Sequence, residues 1–227
     1  RAIEITTPRV NAYISSRKNE ITHLGRPPSN ATLNREMSAL KRMFSLATKA
    51  VPPKAIRVPH IPHLQEDNVR TGFFELEEFQ ALRGALPYHL RPLVTAAYWT
   101  GMRAGELQSL EWARVDLRER KIPLDPGSTK NRQGRIVYMS DELWRVLREQ
   151  KDLRDLNHPD CPWVFFREGQ PIRDYRTGWA NACKRVGLEG RLFHDLRRTG
   201  VRNLVRAGVS ERVAMAISGH KTRSVFD

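Results

Sequence analysis

Four prolines, Pro52, Pro53, Pro59 and Pro62, lie close together and divide the sequence into a short and a long part. A proline has no amide hydrogen and its ring clashes with the preceding helical turn, so this stretch cannot continue an α-helix. A chain of 227 residues is long enough for one large or two modest domains. We therefore predict a helical first domain over 1–50, an extended proline-rich linker over 51–69 and a second domain over 70–227.

The chain is strongly basic, and the charge is concentrated in the short part. Lys and Arg number 39 against 25 Asp and Glu, which gives a net charge of +14 and an isoelectric point near 10.4. Residues 1–65 carry 11 basic and 3 acidic side chains. Such a balance favours a polyanionic partner, nucleic acid first and an acidic membrane surface second, over a merely basic protein. No apolar run approaches the ~20 residues that span a bilayer.

Residues that bind metals or form disulfides are sparse. His60 and His63 have no cysteine or carboxylate ligand nearby in the sequence, so a solvated linker is a better interpretation than a metal site. Cys161 and Cys183 have no Cys-x-x-Cys spacing, so neither a zinc ribbon nor a disulfide framework is indicated. We interpret them as reduced thiols in a cytosolic protein.

The short part contains one clear amphipathic helix. Its apolar residues recur at helical spacing: Leu33, Met37, Leu40, Phe44 and Ala47. Ser29 or Asn30 is a suitable N-cap. The opposite face is basic and is either a solvated surface or a set of phosphate contacts: Arg35, Lys41, Arg42 and Lys49.

The long part is predicted to alternate helices with one small β element. Apolar periodicity and glycine or serine boundaries predict helices over 73–86, 91–99, 106–112, from 140 onward, 175–186, 195–207 and 210–218. Alternation and turn residues predict strands over 121–124, 128–131 and 135–139. We interpret Tyr138 and Tyr175 as packing residues. The predicted fold is mainly α with a small antiparallel sheet, in the α+β class.

Two arginines stand in motifs that suit phosphate binding. Arg103 follows a glycine within residues 100–107 (Thr-Gly-Met-Arg-Ala-Gly-Glu-Leu), and Arg197 lies three residues after His194. Metal-free cleavage of a phosphodiester needs cations on the non-bridging oxygens, and the planar guanidinium fork binds two oxygens at once. A surface ion pair is the alternative for each arginine taken alone.

A lysine and two histidines could supply the proton transfers. Lys130 lies near a predicted turn, where it could donate a proton to a departing alkoxide, although a solvated turn lysine is the more frequent case. His194 and His220 could bond a phosphate oxygen or relay a proton near neutral pH. A lone histidine at a helix end is more often a helix cap or a packing residue.

These motifs, in this order and spacing, resemble the tyrosine recombinase (phage integrase) family. The resemblance rests on residues 100–107, Lys130 on a β-hairpin, residues 194–199 (His-Asp-Leu-Arg-Arg-Thr) and Gly219-His220, and it covers about residues 70–227. The basic helical part before the linker is similar in position to that family's core-binding domain.

The resemblance implies a role for each matching residue. Arg103 and Arg197 would hold the scissile phosphate, Lys130 would be the general acid for the 5′-hydroxyl, and His194 would handle the nucleophile's proton. His220 would bond a phosphate oxygen, and Glu106 would orient its neighbours. DNA contacts are expected from these basic residues: Arg35, Lys41, Arg42, Lys49, Arg132 and Arg198.

The resemblance also implies the reaction and its partners. A tyrosine would attack the phosphate to give a covalent 3′-phosphotyrosine, without metal or nucleotide cofactor. The partners would be double-stranded DNA with specific sites, a homo-tetramer on two synapsed sites and accessory DNA-bending proteins. The expected location is the cytoplasm of a bacterium, with the gene on a bacterial or phage genome and the protein associated with the nucleoid.

The sequence departs from the family pattern at the nucleophile. The family spacing places this tyrosine about two residues beyond Asp227, where it would act as the covalent nucleophile. All five tyrosines precede the Gly-His motif: Tyr13, Tyr88, Tyr98, Tyr138 and Tyr175. The chain also begins with Arg rather than Met, so we expect a fragment that binds DNA without cleaving it.

Three other functions remain open from the residues. Residues 195–207, Gly208 and 210–218 could form a helix-turn-helix of a non-catalytic DNA-binding regulator. A type IB topoisomerase uses similar residues, although the compact motif spacing favours a recombinase. RNA binding is the weakest of the three, because the sequence has no aromatic-rich strand of the RRM kind.

Overall fold

The structure is a computed structural model that describes residues 2–66, 72–125 and 134–219. The chain divides into two compact units, unit 1 (Arg1–Arg70) and unit 2 (Thr71–Asp227). Each unit has its own cluster of buried apolar side chains.

Unit 1 is built on two helices, α1 (Thr7–Asn19) and α2 (Asn30–Lys49), after a 3₁₀ turn at Ala2–Glu4. The Ser29 hydroxyl accepts a hydrogen bond from the Thr32 amide at 3.3 Å, so Ser29 is the N-cap of α2. The predicted apolar stripe of α2 is buried at Leu33, Met37 and Phe44. It packs with Val10 and Ile14 of α1, a helix that the sequence analysis did not identify.

The segment that contains the four prolines (residues 51–66, the proline segment) has no helix or strand, as expected from its missing amide donors. It nevertheless belongs to unit 1 and packs against the helices of that unit. Ile61 is 4% exposed and belongs to the core of unit 1. The Asn34 amide donates to the Leu64 carbonyl and accepts from the Leu64 amide, both at 2.8 Å. One buried side chain thus satisfies both backbone groups of Leu64.

Unit 2 is mainly helical with two small antiparallel sheets, which confirms the predicted fold class. The described helices are α3 (Leu76–Ala85), α4 (Arg91–Thr100), α5 (Ala104–Gln108), α6 (Asp141–Asn157), α7 (Arg176–Arg185), α8 (Phe193–Arg206) and α9 (Glu211–Ser218). Short 3₁₀ turns lie at Tyr88–Leu90 and Trp112–Arg114. The strands are β1 (Lys121–Leu124), β2 (Arg135–Tyr138), β3 (Phe166–Arg167) and β4 (Gln170–Pro171).

The first sheet pairs β1 with β2, with Ile122 opposite Val137. These two side chains face the core, and the strand alternation turns Tyr138 outward. Tyr138 is 69% exposed, so its interpretation as a packing residue is wrong, whereas Tyr175 does pack, with its ring 4.4 Å from that of Phe193. The predicted strand 128–131 lies outside the described residues.

Helix α4 is the centre of unit 2 and packs against both α6 and α8. Its residues are buried along nearly the whole length, and Gly101 ends it in a left-handed conformation at φ +61°. Helix α8 passes this end in backbone contact: a Cβ added at Gly200 would lie 2.9 Å from the Gly101 nitrogen. The two helix backbones can approach this closely because position 200 has no side chain.

Three helices of unit 2 begin earlier or later than predicted for one shared reason. An acidic side chain at the third position of each helix accepts a hydrogen bond from the backbone amide of the N-cap residue. Glu106 bonds the amide of Arg103 at 2.9 Å, and Asp195 bonds that of Leu192 at 2.7 Å, so α5 and α8 begin before these acids. Glu78 bonds Glu75 at 2.9 Å, so α3 begins at Leu76 rather than at residue 73. No helix in the described part of the chain is long and apolar enough to cross a membrane.

Candidate active site

The predicted phosphate-binding arginines meet where four elements end or begin. Arg103 is the N-cap of α5, directly after the turn that ends α4, and Arg197 lies on the second turn of α8. Both guanidinium groups reach the carboxyl end of α9 at Ser218 and Gly219. The first residue of β2, Arg135, joins them there. The structure therefore brings together residues that lie more than 90 positions apart in the chain.

Arg103 is held in place but keeps access to solvent. Its Nη1 donates to Glu106 Oε1 at 2.9 Å and its Nη2 donates to the Gly219 carbonyl at 3.1 Å. The side chain is 23% exposed. An anion in the solvent can therefore approach a guanidinium whose orientation is already set.

Arg197 is almost fully buried, and backbone carbonyls stabilise it. Its Nη1 donates to the Gly101 carbonyl at 2.6 Å and its Nη2 donates to the Ser218 carbonyl at 2.5 Å. Burial, together with the nearby positive charge of Arg103, lowers the pKa of Arg197 to about 10. Arg197 therefore stays charged at neutral pH.

Glu106 links the arginines of this site. Its side chain is 4% exposed and accepts from Arg135 Nη2 at 2.6 Å and from Arg103 Nη1 at 2.9 Å. Burial alone would raise the pKa of Glu106, but the hydrogen bonds from Arg135 and from the Arg103 amide hold it below its ordinary value. Glu106 is therefore a carboxylate at neutral pH.

The sequence analysis missed Arg135, whose side chain is 8% exposed. One signal could have found it. Strand residues two apart point to the same face, so Arg135 shares the buried face of Val137. A buried arginine needs a carboxylate partner, and Glu106 in the preceding motif was available.

His194 lies on the first turn of α8 and is exposed. The protein atoms around its ring nevertheless remove enough water to lower its pKa, and the charges of Arg197 and Arg103 lower it further. The imidazole is thus neutral at pH 7 and able to accept a proton.

The other predicted site residues fall into two groups. Lys130, Arg132 and His220 lie outside the described residues. Among the predicted DNA contacts, Arg198 is half-buried with its guanidinium 4.9 Å from the Phe73 ring, and four residues of α2 are exposed: Arg35, Lys41, Arg42 and Lys49. Within residues 2–66, 72–125 and 134–219, no three metal-binding side chains are grouped to hold an ion.

The model of the phage integrase family matches residues 62–226, which is well over half of the chain. The chain belongs to the phage integrase family. The match covers every element of unit 2 from α3 to α9.

Curated relatives of this integrase-family chain agree with the family match. The integrase of Salmonella phage P22 is 28% identical over 208 residues, covering 86% of this chain and 52% of the relative. The shufflon-specific DNA recombinase of Escherichia coli is 26% identical over 233 residues, covering 98% of this chain and 57% of the relative. The chain thus spans about half the length of these curated relatives.

Solved structures share the fold of this integrase-family chain. The Tn1549 transposon integrase in complex with transposon right end DNA has a TM-score of 0.78 at 18% identity, covering 99% of this chain and 80% of that one. The XerA recombinase has a TM-score of 0.59 at 25% identity, covering 99% of this chain and 78% of that one. These likenesses favour neither the helix-turn-helix regulator nor the topoisomerase.

Proposed function

We propose that this chain is part of a site-specific DNA recombinase that breaks and rejoins DNA through a 3′-phosphotyrosine intermediate. The observation that carries the proposal is the convergence of Arg103 and Arg197 at the end of α9. Family membership and the DNA-bound relatives support it. The homo-tetramer on two synapsed sites, the accessory DNA-bending proteins and the cytoplasmic, nucleoid-associated location are parts of the same proposal.

The arginine cluster has the charge that a scissile phosphate requires. Three guanidinium groups, those of Arg103, Arg135 and Arg197, surround the carboxylate of Glu106, which leaves an excess of positive charge. During phosphoryl transfer, negative charge shifts onto the non-bridging oxygens, and cations fixed in advance stabilise it without reorganisation. We assign Arg103 and Arg197 to these oxygens and Glu106 to orienting Arg103.

The proton transfers are assigned to His194 and Lys130. A lowered pKa keeps His194 neutral, so it can take the proton of the attacking tyrosine, which the family spacing places about two residues beyond Asp227. Lys130 is assigned as the acid that protonates the 5′-oxygen, and His220 as a further donor to the phosphate; both assignments rest on the family resemblance. We expect the acid limb of the cleavage rate to lie below pH 6.5, the ordinary pKa of histidine.

Cleavage can be tested with a nicked suicide DNA that carries the target site. The protein is the chain extended by the following codons of its own gene, so that it includes the expected tyrosine. We expect a covalent protein–DNA adduct on a denaturing gel, which Arg197→Ala abolishes while DNA binding is retained. The absence of an adduct on every cognate site would refute the enzymatic proposal.

DNA binding is assigned in part to the exposed basic face of α2. Arg35, Arg42 and Lys49 are seven residues apart, which is close to two helical turns, so they lie along one side of the helix, with Lys41 beside them. Removing one cation that binds a phosphate should reduce the slope of log Kobs against log salt by about 0.9. We expect Arg35→Gln with Arg42→Gln to reduce this slope by about 2.

Arg154→Gln is the control, since Asp155 neutralises Arg154 at 2.6 Å. An unchanged slope in the α2 double variant would contradict the assignment. Arg132 and Arg198 are proposed as further DNA contacts.

A further inference from the structure

Glu106 is shared between two arginines, and this sharing assigns a role to Arg135. Four N–H groups donate to the two carboxylate oxygens. Oε1 accepts from Arg103 Nη1 at 2.9 Å and from Arg135 Nη1 at 3.2 Å. Oε2 accepts from Arg135 Nη2 at 2.6 Å and from the Arg103 backbone amide at 2.9 Å. Arg135 therefore binds both oxygens with its fork, whereas the guanidinium of Arg103 binds one.

The fork of Arg135 is oriented by Glu106 and by the end of α9. Its Nε is buried and has no hydrogen-bond partner among the described residues, so the two bonds to Glu106 set the orientation of the group. On its other side lies Gly219, where an added Cβ would be 3.1 Å from Arg135 Nη1. A side chain at position 219 would displace the guanidinium, and the left-handed φ of +72° already favours glycine there.

The two arginines compete for one negative charge. If Arg135 lost its charge, Glu106 would interact more strongly with Arg103, whose guanidinium still donates to it, within a site that is largely buried. An arginine that is neutralised by a close carboxylate attracts an incoming phosphate less strongly. Removing Arg135 would thus weaken the group proposed to hold the phosphate, even though Arg135 itself is assigned to no phosphate oxygen.

We propose that Arg135 is a positioning residue for the proposed recombination reaction: it binds Glu106 with both Nη atoms and so leaves the Arg103 guanidinium available to a phosphate oxygen. The inference rests on the proposed function, and it adds a residue that acts through Glu106 and Arg103. It predicts the direction in which each substitution changes the reaction rate. Loss of Arg135 alone is harmful, and loss of Glu106 in the same protein relieves the harm.

The decisive comparison is Arg135→Gln against the double variant Glu106→Gln, Arg135→Gln. The measurement is the rate of adduct formation on nicked suicide DNA, with the chain extended to include the expected tyrosine. We expect Arg135→Gln to be slower by about 100-fold, the lower end of the loss that follows removal of one donor to the developing negative charge, with DNA affinity changed by less than about threefold. The double variant should be at least about tenfold faster than Arg135→Gln, because no carboxylate is left to neutralise Arg103.

A purely structural role for Arg135 gives the opposite order. If the residue only held the fold together, a second substitution at its partner would leave the double variant as slow or slower. That order, or an Arg135→Gln variant as fast as the unaltered protein, overturns the inference. The control is Arg154→Gln, which removes an arginine that is paired with a carboxylate, as Arg135 is, and also with a backbone carbonyl, away from the site. Its rate should be unchanged.

A second measurement separates this inference from the proposed function. Inorganic phosphate is added to the 227-residue chain, and the rise in melting temperature is followed by tryptophan fluorescence. Arg135→Gln should reduce the phosphate-dependent rise, and the double variant should restore it. Adduct failure of the unaltered protein together with this pattern refutes only the recombinase proposal. An equal rise in all three proteins refutes the role of Arg135. If Arg135→Gln does not fold, Arg135→Met replaces it, since it also removes the charge and both donors; a phosphate response equal to that of the unaltered chain then overturns the inference.

Discussion

The crossing of α4 and α8 predicts an unusual response to the change Gly200→Ala. The added Cβ would lie 2.9 Å from the Gly101 nitrogen, 3.1 Å from the Gly101 Cα and 3.1 Å from the Tyr98 carbonyl oxygen. All three are backbone atoms, which cannot rotate away as a side chain can. The helices would have to separate by a few tenths of an ångström, in a core that is packed to high density.

Two opposing contributions determine the size of the effect. Replacing glycine by alanine inside a helix stabilises it by about 1 kcal/mol. Overpacking costs about 1–3 kcal/mol, and a value near the upper end is expected where backbone atoms collide. We therefore expect a net loss of about 1–2 kcal/mol in the free energy of unfolding of unit 2. The separation would also stretch the 2.6 Å bond from Arg197 to the Gly101 carbonyl, so adduct formation should fall by more than the loss of stability explains.

Urea unfolding followed by tryptophan fluorescence isolates unit 2, because all five tryptophans lie in it. Gly84→Ala is the matched control. It is also in a helix of unit 2, and its added Cβ would meet no atom within 4 Å. It should be stabilised by about 0.5–1 kcal/mol. If Gly200→Ala is as stable as Gly84→Ala, the backbone contact between α4 and α8 is not present in solution, and this reasoning is refuted.

Three further predictions address buried polar groups. Thr199→Val leaves the amide of Phe74 without its 2.9 Å acceptor and should destabilise unit 2 by about 1–3 kcal/mol in urea, whereas Thr199→Ser should recover most of the loss. Asn34→Leu removes both bonds to Leu64, so trypsin should cut the proline segment about tenfold faster; an unchanged rate would show that the segment is held otherwise. The lowered pKa of Glu106 contributes stability above its unfolded value near 4.5 that is lost as pH falls through the folded value. The difference in melting temperature between the unaltered chain and Glu106→Gln should therefore shrink below about pH 4, and a constant difference down to pH 3 contradicts the assignment.

Local signals in the sequence were sufficient for some elements of this fold. Helix α2 was predicted because its apolar stripe is regular and Ser29 supplies its cap. The end of α4 was predicted because glycine tolerates the left-handed turn at Gly101. In both cases the physical cause lies within one or two turns of the residue concerned.

Other elements depend on contacts that local patterns do not record. Helix α1 has only two buried apolar residues, Val10 and Ile14, so its stripe is too narrow to be recognised. Strands β3 and β4 have two residues each, too few to show the alternation of apolar and polar residues that predicts a strand. They are set by the turn at Glu168 and Gly169, which both have positive φ.

The candidate site shows the same division. Arg103 and Arg197 could be predicted because each stands in a compact motif. The residues next to Arg135 in the sequence do not reveal its role. Its partner Glu106 is 29 positions away, and the pair forms only when β2 packs beside α5.

The burial of Arg197 requires a compensation that no sequence motif records. An arginine that is 3% exposed loses most of its hydration, a cost normally offset by a carboxylate. Here two backbone carbonyls accept its hydrogen bonds, and the negative charge of Glu106 also acts on the group. The carbonyl of Ser218 belongs to the last turn of α9, where carbonyls carry the negative end of the helix dipole. The carbonyl dipoles orient the cation, while Glu106 is shared with Arg103 and Arg135. Arg197 can thus be buried, fixed and still fully cationic, which is the state that binding a phosphate at this position would require.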